Sequence, residues 1–109
     1  MRKIYIASPY SIGDLAVNVH LQMETANTLI NLGFCPFVPL LTHFQHLMFP
    51  QPYDIWLAQD TEWVKACDCL LRLGGESKGA DREVKYMISL GKPVMYSVDE
   101  LVEYYRDTM

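Results

Sequence analysis

The side chains best suited to chemistry are two carboxylates, Glu83 and Asp60, with a set of hydroxyl and imidazole groups in loop-like segments. The most informative stretch is Gly74-Gly75-Glu76-Ser77-Lys78-Gly79, followed by Ala80-Asp81-Arg82-Glu83. Glycines there permit a tight turn and close approach of a ligand to the backbone. The helix predicted to follow offers unpaired amide donors at its N-terminus, suited to a phosphate or another anion. Glu83 stands about one turn into that helix. The helix dipole also favours an acidic residue in a first turn with no catalytic role at all. The loop matches neither GxGxxG nor the Walker pattern. On the loop alone, Glu83 is open to both readings.

Several elements must position these groups. Lys3 to Ala7 (KIYIA) predicts a buried strand closed by Ser8-Pro9. Asp14 to Leu32 predicts a helix with Leu15, Val19, Met23, Ala26 and Ile30 near one face, Asp14 as N-cap and Gly33 as stop. Phe34 to Val38 predicts a second strand, ended by Pro39. Leu40 to Tyr53 reads as the longest irregular part, and loops of that length are more often functional than not. Asp54 to Ala66 predicts a helix carrying Ile55, Leu57, Trp63 and Val64, and Asp68 to Leu73 a third strand. A helix over Gly79 to Leu90, a fourth strand over Lys92 to Ser97 and a closing helix over Val98 to Arg106 complete the chain.

Strands alternating with helices imply an α/β fold: a Rossmann-like (flavodoxin-like) doubly wound parallel sheet of about four strands, in order 2-1-3-4. One domain over residues 1–109 is expected. In such a sheet, ligands bind beyond the carboxyl ends of the strands, where the strand order switches. Here that point lies between strands 1 and 3, facing the Ser8–Gly13 loop, the Gly74–Gly79 loop and parts of the long middle stretch.

Composition narrows the function classes. A net charge of -4 argues against a nucleic-acid polymer or an anionic membrane as partner. No stretch approaches the roughly 18 uninterrupted apolar residues of a membrane span. Met1, Arg2 and Lys3 lead directly into a strand, which predicts a cytoplasmic protein with no signal region. Cys35, Cys67 and Cys69 are odd in number, which suits reduced thiols. Cys67 and Cys69 flank Asp68 and are expected as buried structural groups on opposite faces. A chain this short gains from association, and a homo-oligomer (a dimer or dimer of dimers) is expected, with Tyr104-Tyr105 available to cover a partner.

Taken in chain order, KIYIASPYS, QDTEWVKACD, SKGADREV and GKPVMY resemble the nucleoside 2-deoxyribosyltransferases and their relatives, the 2'-deoxynucleoside 5'-phosphate N-hydrolases. The resemblance covers nearly the whole chain. Its most specific part is the spacing SxGxxxE before a Gly-Lys-Pro strand entry. Small phage and bacterial proteins of unassigned function are similar more loosely, through SPYS, THF and QD. The resemblance implies that Glu83 is a nucleophile attacking the anomeric carbon, as in a retaining glycosidase. It implies that the Tyr5 hydroxyl orients that carboxylate and that Asp60 handles the leaving base or sugar. Ser77 matches the serine that binds a 5'-phosphate in the hydrolases, where the transferases carry an acidic residue. Ser77 and Gly79 would then form a neutral anion cradle, with Ser8 and Ser11 as further donors. Tyr10 stands where the hydrolases carry an arginine. No metal and no cofactor are implied.

His43 is placed to contact base or phosphate. His46 is three residues on, but no carboxylate or cysteine sits at ligand spacing, so a metal site is not expected. Trp56 and Trp63 are two helical turns apart and suit packing, with Trp56 also able to stack on a base. The leading expectation is cleavage of the N-glycosidic bond of a (deoxy)nucleoside 5'-monophosphate. Exchange between bases is the alternative within the same chemistry. A non-catalytic nucleotide-binding module is the alternative of another class, motivated by Tyr10 and by the short segment after the last strand.

Overall fold

The computed structural model describes residues 1–108. Its strands, β1 (Lys3–Ala7), β2 (Cys35–Phe37), β3 (Cys69–Arg72) and β4 (Val94–Met95), form one parallel sheet in the order β2-β1-β3-β4. Helices α1 (Leu15–Asn31), α2 (Thr42–Met48), α3 (Tyr53–Ala66), α4 (Lys78–Ser89) and α5 (Val98–Tyr105) connect and follow them. The doubly wound α/β architecture and the strand order are those expected. No helix of the described residues is long and apolar enough to cross a membrane.

The two-residue period of β1 decides the layers. Ile4 and Ile6 enter one core with Ala26 and Leu29 of α1, Cys69 and Leu71 of β3, and Leu101 and Tyr105 of α5. Tyr5 and Ala7 enter the other with Leu70, Val64 of α3, and Ala80 and Met87 of α4. Cys67 and Cys69 join opposite cores, although positions two apart on one strand would share a face, because Cys67 caps α3 and only Cys69 belongs to β3. Burial pushes their thiols up to about 11 and about 12, so both are held as inert S–H groups near neutral pH.

Three local expectations need correction. The buried stripe of α1 is Val19, Gln22, Ala26 and Leu29, while Ile30 is 58% exposed. A polar glutamine occupies an inward position, so hydropathy alone rotated the stripe toward Met23 and Ile30. The stretch Leu40–Tyr53 is not irregular. A 3-10 turn over Pro39–Leu41 leads into α2, with the Thr42 hydroxyl donating to the Pro39 carbonyl at 2.8 Å. Because α2 buries none of its residues and is flanked by prolines, it lacks the apolar periodicity that marks a helix. The fourth strand is only Val94–Met95, an edge strand paired with Leu70 and Leu71 of β3 and not the expected run from Lys92 to Ser97.

Glycine at position 75 is required twice over. Its φ is +110°, and a Cβ there would lie 2.7 Å from Pro9 Cγ. The loops after β1 and β3 therefore touch, which brings both sides of the switch point together.

Candidate active site

A cavity of about 310 Å³ opens at the carboxyl ends of β1 and β3. Helix α3 lays Tyr53, Trp56, Leu57 and Asp60 along it, at the spacing of one helical face. The start of α4 contributes Ser77, Gly79, Ala80 and Glu83. Ser8 and Tyr10 come from the loop after β1, and His43 and His46 from α2. Seven of the nine residues singled out from the sequence thus line one space: Glu83, Asp60, Ser8, Tyr10, His43, Ser77 and Gly79. Tyr5 lies beneath it, fully buried, and reaches it through Glu83. Ser11 is exposed and lies outside the lining.

The Tyr5 hydroxyl donates to Glu83 Oε2. Burial, and then the Glu83 charge, raise the Tyr5 phenol well above its ordinary range, so it stays an O–H donor. Burial also pushes the Glu83 carboxyl up to about 7, against the Tyr5 hydrogen bond and the Arg72 and Arg82 charges, which pull it down. Asp60 is pushed up to about 6 by burial. Two carboxyls in one cavity with values near neutrality share roughly one proton there. That state holds one carboxylic acid and one carboxylate together.

At the other end, Ser77 is the N-cap of α4, its Oγ accepting from the Ala80 N–H at 3.1 Å. Its own O–H is left to donate. Ser8 Oγ accepts from Gln22 Nε2 at 2.7 Å, which likewise leaves the serine proton for a ligand. The Tyr10 hydroxyl meets His43 Nδ1 at 2.6 Å, so these two act as a pair.

Sequence reasoning missed two organising residues. Gln22 is fully buried; it bridges the Ile6 carbonyl and Ser8 with its amide N–H groups and accepts from the Leu40 N–H at 2.9 Å. One side chain thereby joins the loop after β1 to the turn before α2. A glutamine within an apolar stripe was the available signal. Arg72, 8% exposed at the end of β3, donates to the Leu73 carbonyl, to the Gly75 carbonyl at 2.7 Å and to Asp81 at 3.1 Å. It holds the glycine loop against the first turn of α4 and thus fixes where Glu83 begins. Only its position, as a charge ending an apolar strand, hinted at this.

Trp56 faces the cavity, whereas Trp63 stacks on Phe37 at 4.5 Å between ring centroids. Among the described residues, no group of three or more His, Cys, Asp or Glu is arranged to hold a metal ion.

In fold the chain is similar to a solved structure described as a 2-desoxiribosyltransferase from Leishmania mexicana, with a TM-score of 0.63 at 19% identity. The match covers 86% of this chain and 62% of that one, so the chain spans less than two thirds of that protein's length. At this identity the likeness is one of fold. No curated protein matches the sequence. The profile of a family described as a domain of unknown function, DUF7768, matches residues 2–97, and this chain belongs to that family.

Proposed function

We propose that this chain cleaves the N-glycosidic bond of a (deoxy)nucleoside 5'-monophosphate through a covalent glycosyl ester on Glu83, releasing the free base. The observation that carries the reading is the Tyr5–Glu83 hydrogen bond at the edge of a cavity that also holds Asp60. A Glu83 oxygen attacks the anomeric carbon while the carbon–nitrogen bond breaks, and the electron pair leaves with the base. Asp60, protonated, gives its proton to the departing nitrogen. Water then attacks the anomeric carbon, Asp60 takes its proton, and the Glu83 carboxylate is released. The Tyr5 O–H pulls Glu83 toward its ionised form, but burial still leaves Glu83 at about 7 and Asp60 at about 6. The reactive pair, Glu83 ionised and Asp60 protonated, is therefore the minor arrangement of the shared proton.

The phosphate would rest on the Ser77 and Ser8 hydroxyls and on the α4 N-terminus. Among the described residues the cavity lining contains no lysine or arginine and two carboxyls, which favours a second reading: an unphosphorylated nucleoside as substrate, or base exchange on it. A protein of this fold could also bind nucleotides without turnover, yet simple binding has no use for a carboxylate raised to about 7 and oriented by a buried phenol.

The deciding experiment incubates the protein with matched nucleosides and 5'-monophosphates and follows free base by chromatography. Base release, with a sugar adduct on Glu83 seen by mass spectrometry of quenched protein, is expected. Silence across the panel at high protein concentration leaves the binding module as the reading. Ser77→Ala should lower kcat/KM for the monophosphate and spare the nucleoside; as an N-cap loss it should also cost about 1 kcal/mol of stability.

A further inference from the structure

His46 and Trp56 form a pair that the steps above leave unused. The Trp56 indole N–H donates to His46 Nδ1 at 2.8 Å, and the Gln51 backbone N–H reaches the same nitrogen at 3.3 Å. Both groups can only donate. Nδ1 must therefore keep its lone pair, and the proton of the neutral ring sits on Nε2. The rings meet edge to face, 5.8 Å between centroids, which fixes the orientation of the imidazole. His46, Trp56 and Gln51 all line the cavity, and no hydrogen bond within the described residues occupies Nε2. Trp56 precedes Asp60 by one turn of α3, so this donor and the Asp60 carboxyl belong to one wall. His43 differs: its partner is the Tyr10 hydroxyl, which can donate or accept, so its tautomer is not dictated.

We propose that His46 Nε2–H is a specificity-determining donor for the leaving base, selecting bases that present a carbonyl oxygen at that edge over bases that present an amino group. This rests on the N-glycosidase reading and narrows its substrates to nucleosides of oxo-bases. An amino group set against an N–H that cannot turn acceptor leaves two buried donors unpaired. A carbonyl oxygen pairs at once.

The test follows base release from deoxyinosine against deoxyadenosine and from deoxyuridine against deoxycytidine, each with its 5'-monophosphate. Within each pair kcat/KM should favour the oxo-base by roughly tenfold or more. His46→Gln, whose amide offers either a donor or an acceptor, should bring that ratio near one, and Trp56→Phe should reduce it. Equal rates, preference for the amino base, or an unchanged ratio in His46→Gln overturns the proposal. Nitrogen NMR of histidine-labelled protein at about pH 8 should find the His46 proton on Nε2; a proton on Nδ1 overturns it too. Should no substrate release its base, the glycosidase reading fails and binding judges His46 separately. Hypoxanthine should then bind more tightly than adenine to the unmodified protein but not to His46→Gln, and equal or absent binding refutes the donor role.

Discussion

The two faces of the sheet use the same strands for different ends. Toward α1 and α5, Ile4, Ile6, Cys69 and Leu71 meet an apolar layer closed below by Phe34 and Tyr105. Toward α3 and α4, Tyr5 and Leu70 meet Val64 and Met87, but the layer ends on Glu83 and Asp60. Neighbouring residues of β1 thus serve a sealed core and a reactive one. On the first face burial stabilises, by about 1.5–3 kcal/mol for each large apolar side chain. On the second, the same burial destabilises charge and raises both carboxyls. Removal from water is the shared cause; the chemistry of the side chain decides its sign.

The contrast is broken most severely by Glu83→Gln. Base release should fall by at least about a thousandfold, read by chromatography, while the fold gains stability at alkaline pH. The sign follows from proton binding. The unfolded chain loses the Glu83 proton near 4.5, whereas the folded protein keeps it up to about 7. Between those values the folded state binds more protons, so wild-type stability falls as pH rises through the window. Asp60 acts in the same sense between 3.8 and about 6. Glu83→Gln removes the larger part, and denaturant unfolding should show it up to about 3 kcal/mol more stable above pH 7. Equal stability of the two proteins at alkaline pH would refute this account of the site face.

On the opposite face, Ile6→Ala should cost about 2–5 kcal/mol by the same unfolding measurement. The pH dependence should survive it, because no titrating carboxyl of the cavity lies in that core. A changed pH profile would mean that the layers are coupled.

Tyr5→Phe is the milder and more selective change. It keeps the ring stacked on Phe37, 5.7 Å between centroids, and deletes only the hydroxyl. Base release should drop roughly ten- to a hundredfold. With the donor gone, the Glu83 carboxyl rises further, and the alkaline limb of the pH–rate profile moves upward while its plateau falls. In the unmodified protein that profile should be narrow, with its limbs near the values of about 6 for Asp60 and about 7 for Glu83.

Much of this was legible without coordinates. The alternation of KIYIA, the Asp14 cap and the SxGxxxE spacing each report on contacts within a few residues or on one strand period. Helix α2 was not legible, because its residues bury nothing and so carry no apolar repeat. Gln22 was hidden for the opposite reason: a polar residue at an inward position reads as a gap in the stripe until its partners Ser8 and Leu40 are seen.

By itself, then, the sequence determined the alternation of strands and helices, the strand order, and the residues whose types suit nucleophile, acid and anion cradle. The alternation follows from local periodicity, the strand order from the usual topology of such sheets, and the roles of the site residues from the family resemblance. Only the tertiary structure decided which of them share a cavity, that Tyr5 binds Glu83 across 78 positions, and that Arg72 and Gln22 hold the loops around them. Hydrogen bonds between distant segments leave no period in the chain. The raised carboxyls belong to the same class, since burial is a property of the packed layers and of no residue alone.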